Sequence, residues 1–187
     1  MSKEILKERK DALENEFFKR QNEEALEGLR ALKAGEEARA ALSRASGITD
    51  DSALDALTEI GITAETLTAM SLVPLVAVAW ADGKLDDSER SAILEAFKTK
   101  ANEANRDLLD AWLAKPPDPS LLDAWKLYID AVLNELDAEA RETLRSQLLG
   151  GAKEVAEAAG GFLGLGNKIS SSEAAVLAEL EACFQRT

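Results

Sequence analysis

The stretch "VAWADGKLDDSER" (residues 78–90) places an acidic turn directly after one of the most apolar segments of the chain, "SLVPLVAVAWA" (71–81). Four acids fall within eight positions of this turn: Asp82, Asp86, Asp87 and Glu89. After the turn, apolar residues recur at intervals of three and four, which is typical of an amphipathic helix. The stretch therefore predicts a buried helix, a turn and a second, half-buried helix.

The same periodicity runs through nearly every other segment, and no segment alternates in the way that predicts a strand. Aromatic residues make up only 5% of the chain and there are four prolines, while Ala and Leu, which favour helices, are abundant. We therefore expect an all-α fold. Pro74 lies inside the apolar segment, where it either kinks one helix or marks the first turn of a second one.

A weak internal repeat accompanies the turn. "DGKLDDSERSAI" (82–93) matches "GNKISSSEAAVL" (166–177) at a shift of 84 positions. Each copy follows an Ala/Val-rich helix and opens an amphipathic one, so two related helix–turn–helix units packed about a pseudo-two-fold axis would explain it. The matched pairs are Lys84 with Lys168, Leu85 with Ile169, Ser88 with Ser172, Glu89 with Glu173 and Ile93 with Leu177.

The organisation we predict is a charged helical extension over residues 1–47 and an all-helical domain over 48–187. Residues 3–34 are interpreted as one long helix with an interrupted apolar stripe, and such a helix usually packs on a partner helix in the same chain or in another. We therefore expect a protein partner or self-association through this helix. The stripe consists of Ile5, Leu6, Leu13, Phe17, Leu26, Leu29 and Leu32.

Charge and composition exclude several function classes. The net charge of −13 falls entirely on residues 46–187, because residues 1–45 carry ten basic and ten acidic groups; an acidic body repels phosphate backbones, so we expect no nucleic acid partner. There is no His and only one Cys, Cys183, which leaves no common general base and no multi-thiol metal site. The start is too charged for a signal peptide and no apolar run predicts a membrane span. We expect a soluble, cytoplasmic protein.

The acidic turn has two interpretations. Asp86 and Glu89 have capping-box spacing, as do Ser170 and Glu173, so these residues need no ligand to explain them. Asp82, however, would face the negative end of the preceding helix, where a hard cation such as Ca²⁺ or Mg²⁺ would relieve the clustered carboxylates. A full EF-hand loop is excluded, because its first two ligand positions would be Val78 and Trp80.

The turn and its flanking helices resemble the TerB-like domain family, named for a tellurite-resistance protein. The resemblance rests on "VAWADGKLDDSER" and, more weakly, on "VAEAAGGFLGLGNKISSSEAAVL" (155–177), and it covers about residues 63–187. It implies an all-helical fold, a divalent-cation role for the acidic turns, no established catalysis and a link to stress-response complexes. Carried over residue by residue, it predicts Asp82, Asp86 and Glu89 as metal ligands.

The leading hypothesis from the sequence is a non-enzymatic TerB-like protein that binds a divalent cation weakly at the turn over residues 82–89, within a tellurite or metal stress response. The alternative is a cation-independent interaction or scaffold module that acts through the N-terminal helix. An enzyme has little support, since the sequence supplies no His, no second Cys and no phosphate-binding loop.

Overall fold

The computed structural model describes residues 26–98, 102–160 and 169–185. Within these ranges the chain forms helices and short connections without any strand, which confirms the all-α fold predicted from the sequence. The helices are α1, whose described part covers 26–46, α2 (Asp51–Glu59), α3 (Val73–Ala79), α4 (Asp87–Phe97), α5 (Glu103–Ala114), α6 (Ser120–Glu135), α7 (Ala138–Gly160) and α8 (Ser171–Cys183), with a 3₁₀ helix, Leu67–Leu72, before α3.

The chain divides into two compact units, Met1–Ala40 and Ala41–Thr187. The described part of the first unit is the helical stretch 26–40. The second unit contains the hydrophobic core, to which the last turns of α1 contribute Leu42. The largest side chains that are fully buried there are Trp125, Leu42, Ile48, Leu57, Ile62, Met70, Leu72, Ile93, Leu109, Leu113, Ile129 and Leu180.

Helix α3 lies in the middle of this core and contacts α4, α6, α7 and α8. Six of its seven residues are buried, as expected for a helix that is apolar on all sides. Pro74 occupies the first turn of α3, directly after the 3₁₀ helix. Of the two positions considered for Pro74, the structure therefore has the start of a new helix, where the missing N–H group costs no hydrogen bond.

Other helix ends are formed by a glycine and by aspartate N-caps. Gly47, with a φ of 76°, ends α1 in the left-handed conformation. Asp50 caps α2 through a bond from the Ala53 amide, and Asp137 accepts from the Ala140 amide at 2.9 Å at the start of α7. None of the helices in the described ranges combines the length and apolar character that crossing a membrane requires.

The core makes a direct prediction about stability. Leu113 is fully buried at the end of α5, whereas Leu127 on α6 is 44% exposed. We expect Leu113→Ala to lower the free energy of unfolding by about 2–5 kcal/mol, because it leaves a cavity, and Leu127→Ala to lower it by less than about 1 kcal/mol. Urea denaturation of the two variants measures the difference, and equal losses would contradict the burial described here.

Candidate functional site

The acidic turn between α3 and α4 is closed by a left-handed glycine. Gly83 has a φ of 83°, and its amide donates to the carbonyl of Trp80 at 2.9 Å. Asp82 precedes it, and its Oδ1 accepts a hydrogen bond from the backbone amide of Lys84 at 2.9 Å. The side chain of Asp82 is thus part of a local turn in which an aspartate bonds the backbone two residues on.

The predicted capping boxes are present at both copies of the repeat. At the start of α4, the backbone amide of Asp86 donates to Oε2 of Glu89 at 2.9 Å, and the Asp86 carboxylate faces the Glu89 amide. At the start of α8, the Ser170 amide donates to Oε2 of Glu173 at 2.5 Å, and the Glu173 amide donates to Ser170 Oγ at 3.2 Å. Both helices therefore begin with a capping box, and in both the glutamate accepts a hydrogen bond from the amide of its N-cap residue.

The two capping-box glutamates meet in the interior. Glu89 and Glu173 are only 3% and 7% exposed, and they lie close enough for Glu173 to raise the pKa of the Glu89 carboxyl. The sequence repeat had aligned these two residues with each other, but it did not reveal that they touch.

This contact changes the acidity of Glu89. The pKa of its carboxyl is raised from 4.5 to about 7, chiefly by burial and to a smaller extent by the charges of Glu173 and Asp86, against the opposing hydrogen bond from the Asp86 amide. The carboxyl of Glu89 therefore gains and loses its proton near neutral pH. It behaves as a proton-carrying group of the interior rather than as a permanently charged group of the turn.

The residues that flank the turn hold the end of another helix. The indole Nε1 of Trp80 donates to the carbonyl of Trp112 at 3.0 Å, and the guanidinium of Arg90 donates to the carbonyl of Leu113 at 2.5 Å. These two carbonyls belong to the last turn of α5, which has no glycine cap of its own. The turn is consequently fixed from both sides by bonds to α5.

The predicted metal ligands have different environments. Asp82 and Asp86 are exposed, whereas Glu89 points into the interior toward Glu173. Across residues 26–98, 102–160 and 169–185, no group of three or more His, Cys, Asp or Glu side chains is placed so that it could hold a metal ion. Binding of Ca²⁺ or Mg²⁺ at this turn remains a prediction.

The N-terminal helix presents its apolar residues to solvent. Leu26, Leu29 and Leu32 are 51%, 63% and 68% exposed, and we refer to these three residues as the leucine stripe. The earlier members of the predicted stripe, between residues 5 and 17, lie outside the described residues, as does the glycine-rich turn over 161–168. The leucine stripe is the largest grouping of strongly exposed leucines within the described part of the chain.

Other residues considered from the sequence serve packing. Trp125 is fully buried, and Trp112, Tyr128 and Trp80 are partly buried against the core. Cys183 is the last residue of α8 and also packs against the core, with its Sγ within 3.5 Å of the Glu179 carbonyl. These side chains therefore contribute to packing of the core.

Comparison of the chain with protein-family models, with curated proteins and with solved structures gives no match. The TerB-like resemblance thus rests on the quoted residues of the two turns. A proposal for the function of the chain therefore has to be argued from the structure.

The Glu89–Glu173 contact predicts an unusual pH dependence. The folded chain holds a proton on Glu89 up to about pH 7, whereas the unfolded chain releases it near pH 4.5. The contribution of this proton to the free energy of unfolding is complete below the lower value and is lost as the pH rises through the upper one, a change of about 3 kcal/mol. Urea denaturation at a series of pH values between about 5 and 8 measures it.

A matched pair of variants isolates the effect. Glu89→Gln keeps the acceptor for the Asp86 amide and supplies its own donor toward Glu173, so we expect a flatter dependence of stability on pH. Glu103→Gln, at an exposed acid in the first turn of α5, should keep the wild-type dependence. If the free energy of unfolding of Glu89→Gln depends on pH as strongly as that of the wild type, the raised pKa does not belong to Glu89.

Proposed function

We propose that this chain is a non-enzymatic, TerB-like helical module that acts by binding the helix of another protein chain through its leucine stripe. The observation that carries the proposal is the exposure of Leu26, Leu29 and Leu32 on successive turns of one helix. Spacing of three residues places their side chains on one side of the helix, as in apolar faces that enter a partner's groove.

Helix energetics support this proposal. A helix in water gains little stability from its own hydrogen bonds, and in proteins most of that stability comes from packing of an apolar face. The stretch 26–40 lies in a unit of its own, and it exposes the apolar side chains that would do the packing. An apolar face of this kind on a charged helix is typical of a surface that binds a protein.

The environment of the acidic turn also favours protein binding over cation binding as the proposed function. The acids predicted as ligands are already engaged within the chain: Asp82 accepts a hydrogen bond from the Lys84 amide, Glu89 accepts one from the Asp86 amide, and Asp86 forms the capping box with Glu89. Local structure therefore explains their sequence positions without a ligand. The exposed leucines have no such explanation in local structure.

An affinity experiment tests the proposal. Tagged wild-type chain is incubated with extract of the cells that produce it, beside Leu29→Glu and Leu127→Glu variants. A charge in the leucine stripe should abolish recovery of the bound protein, because an ionised side chain would be desolvated at the contact. The Leu127 variant, with its charge on α6, should recover that protein as the wild type does. Equal recovery by all three chains would contradict the proposal.

Cation binding at the turn is the second candidate, and one observation favours it. The carboxylates of Asp82, Asp86 and Asp87 are all exposed within six residues of one another, so a hard cation could reach them from solvent. Such a site would use two or three carboxylates and water, and it would be weak. The stress-response role that the TerB-like resemblance implies belongs to this candidate.

A cation titration tests the second candidate. We expect millimolar Ca²⁺ or Mg²⁺ to raise the melting temperature of the wild type by a few degrees, through binding to the folded state alone. Asp82→Asn should abolish the rise, since the amide oxygen can still accept from Lys84 but the charge is gone. Asp107→Asn, at an exposed acid of α5, is the control. A wild type without any shift would rule out this site.

A further inference from the structure

Helix α8 is held on the body by few apolar side chains. Leu180 is the single apolar residue of α8 that is fully buried. Val176, Leu177 and Cys183 pack against the core but are only half-buried. Helix α6, by comparison, buries six residues, among them Trp125. Because packing of apolar surface supplies most of the stability of a helix in a protein, α8 is the more weakly held of the two helices.

The other buried residue of α8 is an acid. Glu173 lies in the interior near the buried Glu89, and moving a carboxyl group out of water costs free energy unless new hydrogen bonds compensate for it. The bond that Glu173 accepts comes from the Ser170 amide, within its own capping box. That bond is available to α8 whether or not the helix is docked. The start of α8 therefore gains little from contact with the body.

Two ion pairs connect the second half of α8 to its neighbours. Lys126 on α6 contacts Glu179 at 2.6 Å, and Arg145 on α7 contacts Glu181 at 3.3 Å. The side chains of Glu179 and Glu181 are 49% and 51% exposed, so water and salt screen both pairs and each contributes modestly. The attachment of α8 is therefore one buried leucine, a half-buried apolar face and two ion pairs that ionic strength weakens.

The rest of the body has contacts that do not involve α8. Helix α3 packs on α7, α4 packs on α7, and α2 packs on α6. Most of the large, fully buried side chains also belong to these other elements, with Leu180 as the member from α8. Helix α8 itself contacts α3, α6 and α7. The other helices can therefore stay folded when α8 is displaced, with part of their apolar surface uncovered.

We propose that α8 is a displaceable helix: it leaves the body as one cooperative unit while the other helices stay folded, and its departure uncovers apolar surface of α3, α6 and α7. Higher ionic strength favours the open state, because it weakens the two ion pairs. This opening differs from fraying of a chain end, in which the last residues alone come loose. It goes beyond the proposed function and does not depend on the leucine stripe.

Amide hydrogen exchange of the full chain, at constant pH, tests the proposal. The amides of residues 174–183 should share one protection factor, at least about tenfold below that of the slowest amides of α6. Raising NaCl from about 0.1 M to 1 M shortens the screening length from about 10 Å to about 3 Å and should speed exchange in α8 several-fold while α6 stays unchanged. Protection that falls steadily toward the C-terminus would show fraying, and protection equal to that of α6 would show global unfolding. Either result overturns the proposal.

Variants at the ion pairs test what holds α8 in place. Glu179→Gln combined with Glu181→Gln should speed exchange in α8 about three- to tenfold and remove most of its salt dependence, since both pairs are lost. The control is Glu95→Gln combined with Glu103→Gln, which removes the same charge from exposed positions of α4 and α5. It should keep the wild-type exchange of α8. A double variant at 179 and 181 that behaves like this control would contradict the proposal.

Two cavity variants separate local opening from global unfolding. Leu180→Ala should speed exchange in α8 more than about tenfold and leave the slowest amides of α6 much less affected. Leu113→Ala, at a fully buried position of α5, should speed the slowest amides of α6 and leave α8 near its wild-type rate. Equal effects of the two variants on both helices would show that α8 opens only with the whole body. If Leu180→Ala does not fold, the ion-pair variants still decide the question.

Discussion

The contact between two buried carboxyl groups, Glu89 and Glu173, constrains the architecture of the helical body. Each glutamate is the third residue of a helix and is held by the backbone amide of its own N-cap, so neither can turn away toward water without losing that bond. The starts of α4 and α8 must therefore approach each other with their caps intact. An apolar pair would be easier to bury, but it could not close the two capping boxes.

This arrangement separates the acids of the turn into two groups. Glu89 lies inside with a pKa of about 7, whereas the aspartates are exposed, and Asp82 accepts a hydrogen bond from the Lys84 amide. The cluster of acids that makes the sequence resemble a metal site thus includes Glu89, whose side chain caps the start of α4. The outward-facing aspartates are the part of the turn that a solvent cation could still reach. The exposed leucines of α1 differ from these acids. Exposure to water is favourable for a carboxylate but unfavourable for an apolar side chain, so the leucines are the better indication of a binding surface.

Much of the fold could be predicted because its signals are local. The helical periodicity, the glycine at position 47, the aspartate caps of α2 and α7, and the proline at the start of α3 all act within a few residues of their position. Sequence spacing even aligned the two capping boxes across 84 positions. The 3₁₀ helix before α3 was not anticipated, since the stretch after Thr63 reads as a continuous helix by periodicity alone. The predicted beginning of the N-terminal helix lies outside the described residues.

The features that could not be predicted from the sequence are contacts between residues that are far apart along the chain. Nothing in the spacing of α4 or α8 shows that their glutamates touch, because a repeat predicts similar units and not the contacts between them. The open groove where α6 ends and α7 begins was missed for the same reason, because its half-buried lining residues Val132, Leu136, Ala140 and Leu144 have the helical spacing of ordinary core positions. The bonds from Trp80 and Arg90 span 32 and 23 residues, so no local motif signals them. Those two bonds also make the last turn of α5 depend on tertiary structure. The carbonyls of Trp112 and Leu113 are paired with side chains only while Trp80 and Arg90 are in place, so a local opening around α3 and α4 would release the end of α5 as well.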